Sequence, residues 1–371
     1  MGENSAIEWC EHTFNPWFGC TKVSPGCDHC YAEALATKRL GVAWGPHAER
    51  RFAAESTWKL PHRWNRAAAK TGQRARVFCA SLADVFDNQA DAAWLLVLME
   101  TIRTTPNLDW LLLTKRPQQI IPRLRAACID AEKPTLTRWD TQSAKAWIDG
   151  WLAGDAPRNV WLGTTAENQA EADRRIPHLL AAPAAKRFLS CEPLLGPVDL
   201  SGWLPGDNGC QGCDDGDGYG NRCASSDIPR DEQCPWNRAV QTIVEHGPAD
   251  EDGAPAAVTS HVETIDWVIS GGESGPGARP SHPEWHRSLR DQCAAAGLPF
   301  FFKQWGEWAP HRARAGGDEG GDLRRGHVRY LQGDGREPDG HFRKGDAAVA
   351  HVGKKAAGAL LDGREHREVP A

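Results

Sequence analysis

Short runs rich in β-branched and aromatic residues, each followed by a stretch of helical periodicity, constrain this chain more than any other feature. They are RVFCA at 76–80, DWLLLT at 109–114, NVWLG at 159–163, KRFLS at 186–190, IDWVIS at 265–270 and LPFFFK at 298–303. Each reads as a strand, and one more is expected ahead of Cys20. Helices are expected at 32–40, 90–103, 118–127, 170–180 and 283–296. Strands that alternate with helices form a parallel sheet covered on both faces. Six or seven such units predict an α/β fold, a full or partial (β/α) barrel, in preference to a doubly wound sheet. No G-x-G-x-x-G follows the first strand, which counts against a dinucleotide fold.

The 371 residues accommodate two domains or one barrel with insertions. Residues 1–201 read as the N-terminal part of the barrel. Residues 202–260, rich in Gly, Asp, Cys and Pro, are too long for an ordinary loop and read as an inserted metal-binding subdomain. Residues 261–308 resume the barrel, and 309–371 form a C-terminal cap or tail. No apolar run long enough to span a bilayer occurs, so no membrane partner is expected. The opening Met1-Gly2-Glu3-Asn4-Ser5 lacks the features of a secretory signal, and a cytoplasmic location is expected. A net charge of -6 gives no global pull toward nucleic acid, although a local basic groove stays open.

In a βα barrel the chemistry gathers at the C-terminal ends of the strands. The residues expected there are Ser81 and Asp84; Thr114, Lys115 and Arg116; Thr164, Glu167 and Asn168; Ser190, Glu192 and Pro193; Gly271, Gly272, Glu273 and Ser274; and Lys303 and Gln304. Lys115 and Arg116 suit a phosphate or a carboxylate. Ser81, Asp84, Asn168, Gly271, Gly272 and Glu273 are candidate cofactor contacts, the glycines because they let backbone approach a ligand. Lys115, Glu192 and Cys191 are the candidate catalytic groups, Cys191 as a hydrogen-atom donor. Trp305 and Trp308 are candidates to stack on a nucleobase. For any one of these residues, an ordinary polar loop or packing role is the competing account.

Twelve cysteines in a chain without an export signal are not expected to be disulfides. Cys20, Cys27 and Cys30 form C-x6-C-x2-C, with Pro25 and Gly26 supplying a turn, so three thiolates are gathered on one loop. Three cysteine ligands suit a four-iron cluster with one iron left open for a small molecule. A closed zinc site completed by Cys10, His12 or His29 is the alternative. Cys210, Cys213, Cys223 and Cys234 lie in a segment with little material for a core. They suit structural zinc, with an auxiliary iron-sulfur cluster or unligated thiols as alternatives. The acidic string DDGDGYGN lacks the ligand spacing of a calcium loop. Cys79, Cys128, Cys191 and Cys293 read most simply as small core residues.

A three-cysteine loop ending C-x2-C directly after a first barrel strand resembles the radical S-adenosylmethionine enzymes, whose usual spacing is C-x3-C-x2-C. A closer resemblance covers most of the chain. IEW at 7–9, GCTKVSPGCDHCYAE at 19–33, LLTKRP at 112–117, SCEPLLGPV at 190–198, DWVISGGESGPGARP at 266–280, FFFKQWGEW at 300–308 and VGKKAAGALLDGREHREVP at 352–370 resemble a phage-associated family of unknown function. That family is itself similar to radical S-adenosylmethionine enzymes and often accompanies a three-Cys-motif partner protein. The resemblance implies a 4Fe-4S cluster on Cys20, Cys27 and Cys30, bound S-adenosylmethionine, a 5'-deoxyadenosyl radical, and an electron donor such as flavodoxin or ferredoxin. In most radical enzymes a GGE element after the second strand receives the methionyl amino group. Here Gly271, Gly272 and Glu273 follow a late strand, and Asp84, after an early one, is the other candidate for that contact. A nucleotide, nucleic acid or modified base is the expected substrate. The rival expectation is a non-catalytic zinc module that binds nucleic acid or a protein.

Overall fold

The structure, a computed structural model, describes residues 3, 5, 7–130, 139–205, 264–311, 328–337 and 344–370. The chain opens with β1 (His12–Phe14), β2 (Trp17–Phe18), α1 (Tyr31–Leu40), β3 (Arg51–Phe52), α2 (Glu55–Thr71) and β4 (Ala75–Cys79). It continues through α3 (Ala92–Arg103), β5 (Leu108–Thr114), α4 (Ile120–Ile129), α5 (Thr141–Leu152), β6 (Val160–Thr165), α6 (Gln169–Leu180) and β7 (Lys186–Cys191). Then come β8 (Trp267–Gly271), α7 (Pro283–Ala295), β9 (Phe300–Gln304), β10 (Trp308–Pro310), β11 (Val328–Leu331), β12 (Ala347–His351) and α8 (Lys354–Ala357).

Seven strands form one parallel sheet in the order β1-β4-β5-β6-β7-β8-β9. Spatial order follows chain order throughout, so the winding never reverses and the sheet curls into a half-barrel. Of the two expected forms, the partial barrel is the one observed. Its open edges are covered by the chain itself. Ser5 N donates to Glu11 O at 2.9 Å beside β1. On the far side Phe301 of β9 bridges antiparallel to Arg367, and Phe302 N donates to His366 O at 3.0 Å.

Alternation along the strands separates two cores. Val77, Trp110, Leu112, Leu162, Leu189, Val268 and Phe302 face outward and pack under the helices. α3 reads AAWLLVLMETIR and is buried almost all round, with both α4 and α5 packed against it. Phe78, Leu111, Trp161, Phe188, Trp267 and Phe301 face inward, and the strand register sets Phe78 beside Leu111 and Leu111 beside Trp161. Trp9, from the turn before β1, inserts among them, its ring 4.6 Å from Phe78 and 6.4 Å from Trp267. Gly163 lies opposite Phe188, and a Cβ there would come within 2.3 Å of the Phe188 ring. The missing side chain is what lets the aromatic layer close.

Three helices among the described residues fall outside the sequence expectation: α2, α5 and the short α8. α2 buries Trp58, Pro61, Trp64 and Ala68, with a proline inside the helix interrupting the pattern. α5 starts at an Asp140 cap, whose side chain accepts from Ser143 N. β10, β12 and β11 form a small antiparallel sheet beyond the barrel. Trp308 of β10 donates its indole N–H to Ala278 O at 2.7 Å, which docks this sheet on the loop after β8. The expected insertion, with Cys210, Cys213, Cys223 and Cys234, lies outside the described residues except for its first few positions. No helix among the described residues is long and apolar enough to cross a membrane.

Candidate functional site

Beyond the aromatic layer the inward positions become small or polar, with Ala80, Ser190 and Gly271 replacing rings, and the half-barrel opens into a cavity. Its floor is Trp9, Phe78 and Leu113, and its wall includes Ser81, Asp84, Lys115, Glu192, Gly272, Glu273 and Lys303. Cys20, Cys27 and Cys30 line the same cavity from the loop between β2 and α1. The structure thus brings the three cysteines to the strand ends.

That loop is tied down from three strands, in each case by a buried carboxylate. After β4, Asp84 accepts from Thr114 Oγ1 at 2.6 Å, Lys115 N at 3.0 Å and Arg116 Nη1 at 2.9 Å. Arg116 in turn reaches Thr21 O at 2.8 Å and Cys20 Sγ at 3.6 Å. After β6, Glu167 accepts from Gly26 N at 3.1 Å and from Arg175 Nη1 at 2.7 Å. A Cβ on Gly26 would stand 2.9 Å from the Glu167 oxygen, so glycine permits this approach. After β8, Glu273 accepts from Arg279 Nη2 at 2.6 Å and Nε at 2.9 Å, and the same guanidinium reaches Pro25 O and Asp28. A fourth pair, buried Arg50 and Asp87, holds Thr21 through its hydroxyl at 2.8 Å.

These partners revise several expectations. Asp84 and Glu273 line the cavity, but arginines engage their carboxylates, and their visible work is to hold the cysteine loop. Gly272 serves loop-to-loop contact: a Cβ there would lie 2.0 Å from Trp305 O, and Gly272 N donates to Gln304 O at 2.8 Å. The backbone that approaches is protein, so the glycine needs no ligand to explain it. Asn168 is not in the cavity lining; it caps α6, accepting from Glu171 N at 3.0 Å. Cys191 is fully buried in the outer core, on the face of β7 opposite Ser190 and Glu192. Period-two alternation turns it away from the cavity, so it has no path to act as a hydrogen-atom donor there. Trp305 and Trp308 are buried with their indole N–H groups on Leu360 O and Ala278 O, and above the floor the rings at the cavity are His29, Tyr31 and Trp44 instead.

Other candidates stay at the mouth. Glu192 receives both hydrogen bonds of the Lys303 ammonium, at 2.8 and 3.0 Å. Ser81 is held by Asn15 Nδ2 at 3.0 Å, and its carbonyl accepts from the Tyr31 hydroxyl. The Lys115 ammonium makes no hydrogen bond or ion pair among the described residues. Burial works to raise the Glu167 carboxyl, but Arg175, Ser24 and Lys115 outweigh it and hold the group below the usual carboxylate range. Arg175, Arg279 and Arg50 were not among the expected site residues. Only Arg175 carries a local signal, four residues after Glu171 on one helix face, where the two also pair at 2.9 Å.

The three loop cysteines fit an iron-sulfur group by donor type and by place. All are free thiols on one loop at one cavity. Among the described residues no three Cys, His, Asp or Glu side chains stand at the spacing of a metal site. Burial pushes the Cys20 thiol up to about 12, with Asp84 adding to the rise and Arg116 opposing it. A cation at this sulfur would favour the thiolate. Cys10 does not join the set. Its thiol lies on Ser5 Oγ at 3.6 Å and Ile7 O at 3.7 Å, packed with the aromatic floor. His12 stacks on Trp64, also away from the loop, while His29 lines the cavity. The closed zinc site completed by Cys10 or His12 is therefore not formed.

A family profile described as "Protein of unknown function (DUF5131)" matches residues 4–370. No curated protein sequence matches the chain. Among solved structures, a spore photoproduct lyase variant with bound AdoMet and dinucleoside spore photoproduct is similar at a TM-score of 0.31 and 13% identity. That match covers 52% of this chain and 50% of the other, so the chain spans about half of that relative. A second spore photoproduct lyase variant is similar at a TM-score of 0.36 and 10% identity, covering 95% of this chain and 71% of the other.

Proposed function

The chain belongs to the DUF5131 family, described as proteins of unknown function, and from its own residues we propose that it is a radical S-adenosylmethionine enzyme acting on a nucleotide, a nucleic acid or a modified base. The observation that carries this reading is the cysteine loop. Three free thiols line the open end of a parallel half-barrel, on a loop tied to the ends of three strands. Cys20, Cys27 and Cys30 would hold a 4Fe-4S cluster, which supplies the electron for reductive cleavage of S-adenosylmethionine to a 5'-deoxyadenosyl radical.

The surrounding residues bind, orient and exclude water. Trp9, Phe78 and Leu113 close the cavity below, so a reactive species held at the mouth meets apolar rings on that side. The Lys115 ammonium offers a partner for a carboxylate or phosphate. Tyr31 and Trp44 offer faces on which a base can stack. Lys303 holds Glu192 in one orientation at the wall. A ferredoxin or flavodoxin would deliver the electron, a three-Cys-motif partner protein would act with the chain, and the reducing cytoplasm would keep the thiols free.

Anaerobic purification and reconstitution with iron and sulfide test the reading. The protein is expected to hold about four irons and four sulfides at the loop and to release 5'-deoxyadenosine from S-adenosylmethionine under dithionite. A variant with Cys20→Ala, Cys27→Ala and Cys30→Ala should lose that iron and the deoxyadenosine while keeping its circular dichroism. Zinc in place of iron at the loop, with no deoxyadenosine formed, would overturn the proposal in favour of a binding module.

A further inference from the structure

The three thiols of the loop do not share one environment. Arg116 is buried, 5% exposed, directly after β5. Its Nη1 divides its two hydrogens between Asp84 Oδ2 at 2.9 Å and Cys20 Sγ at 3.6 Å, while Nη2 donates to Thr21 O at 2.8 Å. Asp84 is itself fixed by the Thr114 hydroxyl and two backbone N–H groups, those of Phe86 and Lys115. The orientation of the guanidinium is therefore set from the barrel and not from the loop. Cys27 has the Ser24 hydroxyl at 3.9 Å, and among the described residues no cationic side chain donates a hydrogen bond to Cys27 or Cys30, although the Lys22 ammonium at the surface acts on Cys30 through its charge. One thiol of three carries a buried positive hydrogen-bond donor.

We infer that Arg116 is a positioning residue that singles out Cys20, fixing its sulfur and drawing electron density from it, and so raises the reduction potential of the group the loop holds. The inference rests on the proposed iron-sulfur reading. Hydrogen bonds and charge at ligating sulfurs tune cluster potentials. An arginine suits this place because one planar fork meets the carboxylate, the loop carbonyl and the sulfur together. A lysine can carry the charge but not that geometry.

The test is a redox titration of the reconstituted full chain, followed by electron paramagnetic resonance without S-adenosylmethionine. Arg116→Gln should move the midpoint to more negative potential, and Arg116→Lys should move it less and in the same direction. Glu273→Gln is the control: it loosens the loop through Arg279 without touching Cys20 and removes a negative charge, so it should lower iron retention without a shift to more negative potential. If Arg116→Gln and Arg116→Lys both titrate with the wild type, the inference fails and the iron-sulfur reading stands. If Arg116→Gln retains no iron, Arg116→Lys decides by the same criterion. A wild-type protein that takes up no iron at the loop would instead remove the iron-sulfur reading itself, and this inference with it.

Discussion

The two ends of the half-barrel interior are built in opposite ways. The floor is a layer of rings, Phe78, Trp161, Phe188, Trp267 and Phe301 around the inserted Trp9. A few residues further along the same strands, the mouth is held by carboxylate–guanidinium pairs, Asp84 with Arg116, Glu167 with Arg175 and Glu273 with Arg279. Ring packing is non-directional and contributes stability through area removed from water. Buried ion pairs contribute little net stability, because desolvation offsets attraction, yet breaking one leaves a charge stranded. The floor therefore stabilises the barrel, and the mouth uses charge to give one loop a single place.

Removing one partner from a buried pair should show the largest effect. Glu167→Ala takes from Arg175, which is 1% exposed, the more deeply buried of its two carboxylates, leaving it Glu171, and takes the acceptor from Gly26 N. Chemical denaturation should read a loss of about 3–5 kcal/mol, and a loss well below that would mean the pair is not held as described. Trp9→Ala breaks the other end. It should cost about 3 kcal/mol and leave the cysteine loop's contacts intact, so equal damage to iron retention would erase the contrast between floor and mouth.

Acid should separate the ends further, because Glu167 titrates and the rings do not. Glu167 is depressed in the folded state, so its stabilisation is present above the ordinary glutamate value, about 4.3, and is lost as pH falls through the folded value. Denaturant midpoints followed between about pH 6 and 3 should fall in the wild type and flatten in Glu167→Gln. The smallest effect is expected from Cys191→Ala, about 1 kcal/mol or less, with iron content and deoxyadenosine release unchanged. Loss of turnover in that variant would mean the thiol reaches the cavity after all.

The strands were legible because their composition matches a sheet covered on both faces, and the mouth was legible as the set of residues that follow them. What the sequence hid was pairing. Glu273 looks like a presented carboxylate because glycines flank it, and only the fold brings Arg279 round to it and on to Pro25. Asp84 and Arg116 are both visible as strand-end residues, but their mutual contact depends on β4 and β5 lying side by side. Two signals were present and outweighed. Asn168 followed three residues later by Glu171 is a helix-start pattern, and Cys191 between Ser190 and Glu192 must point to the opposite face. α2 was obscured by Pro61, which the helix tolerates while burying Trp58 and Trp64.

The segment along β9 sets an order of events during synthesis. Until residues 366–368 have been made, β9 has no partner on its outer side, and the backbone groups now bonded to His366 and the Glu368 side chain stand open. An unpaired edge of a hydrophobic sheet is a template for pairing with another chain. The half-barrel is thus complete as a winding well before it is sealed as a surface, and the interval between the two is when a growing chain of this kind is most exposed to its neighbours.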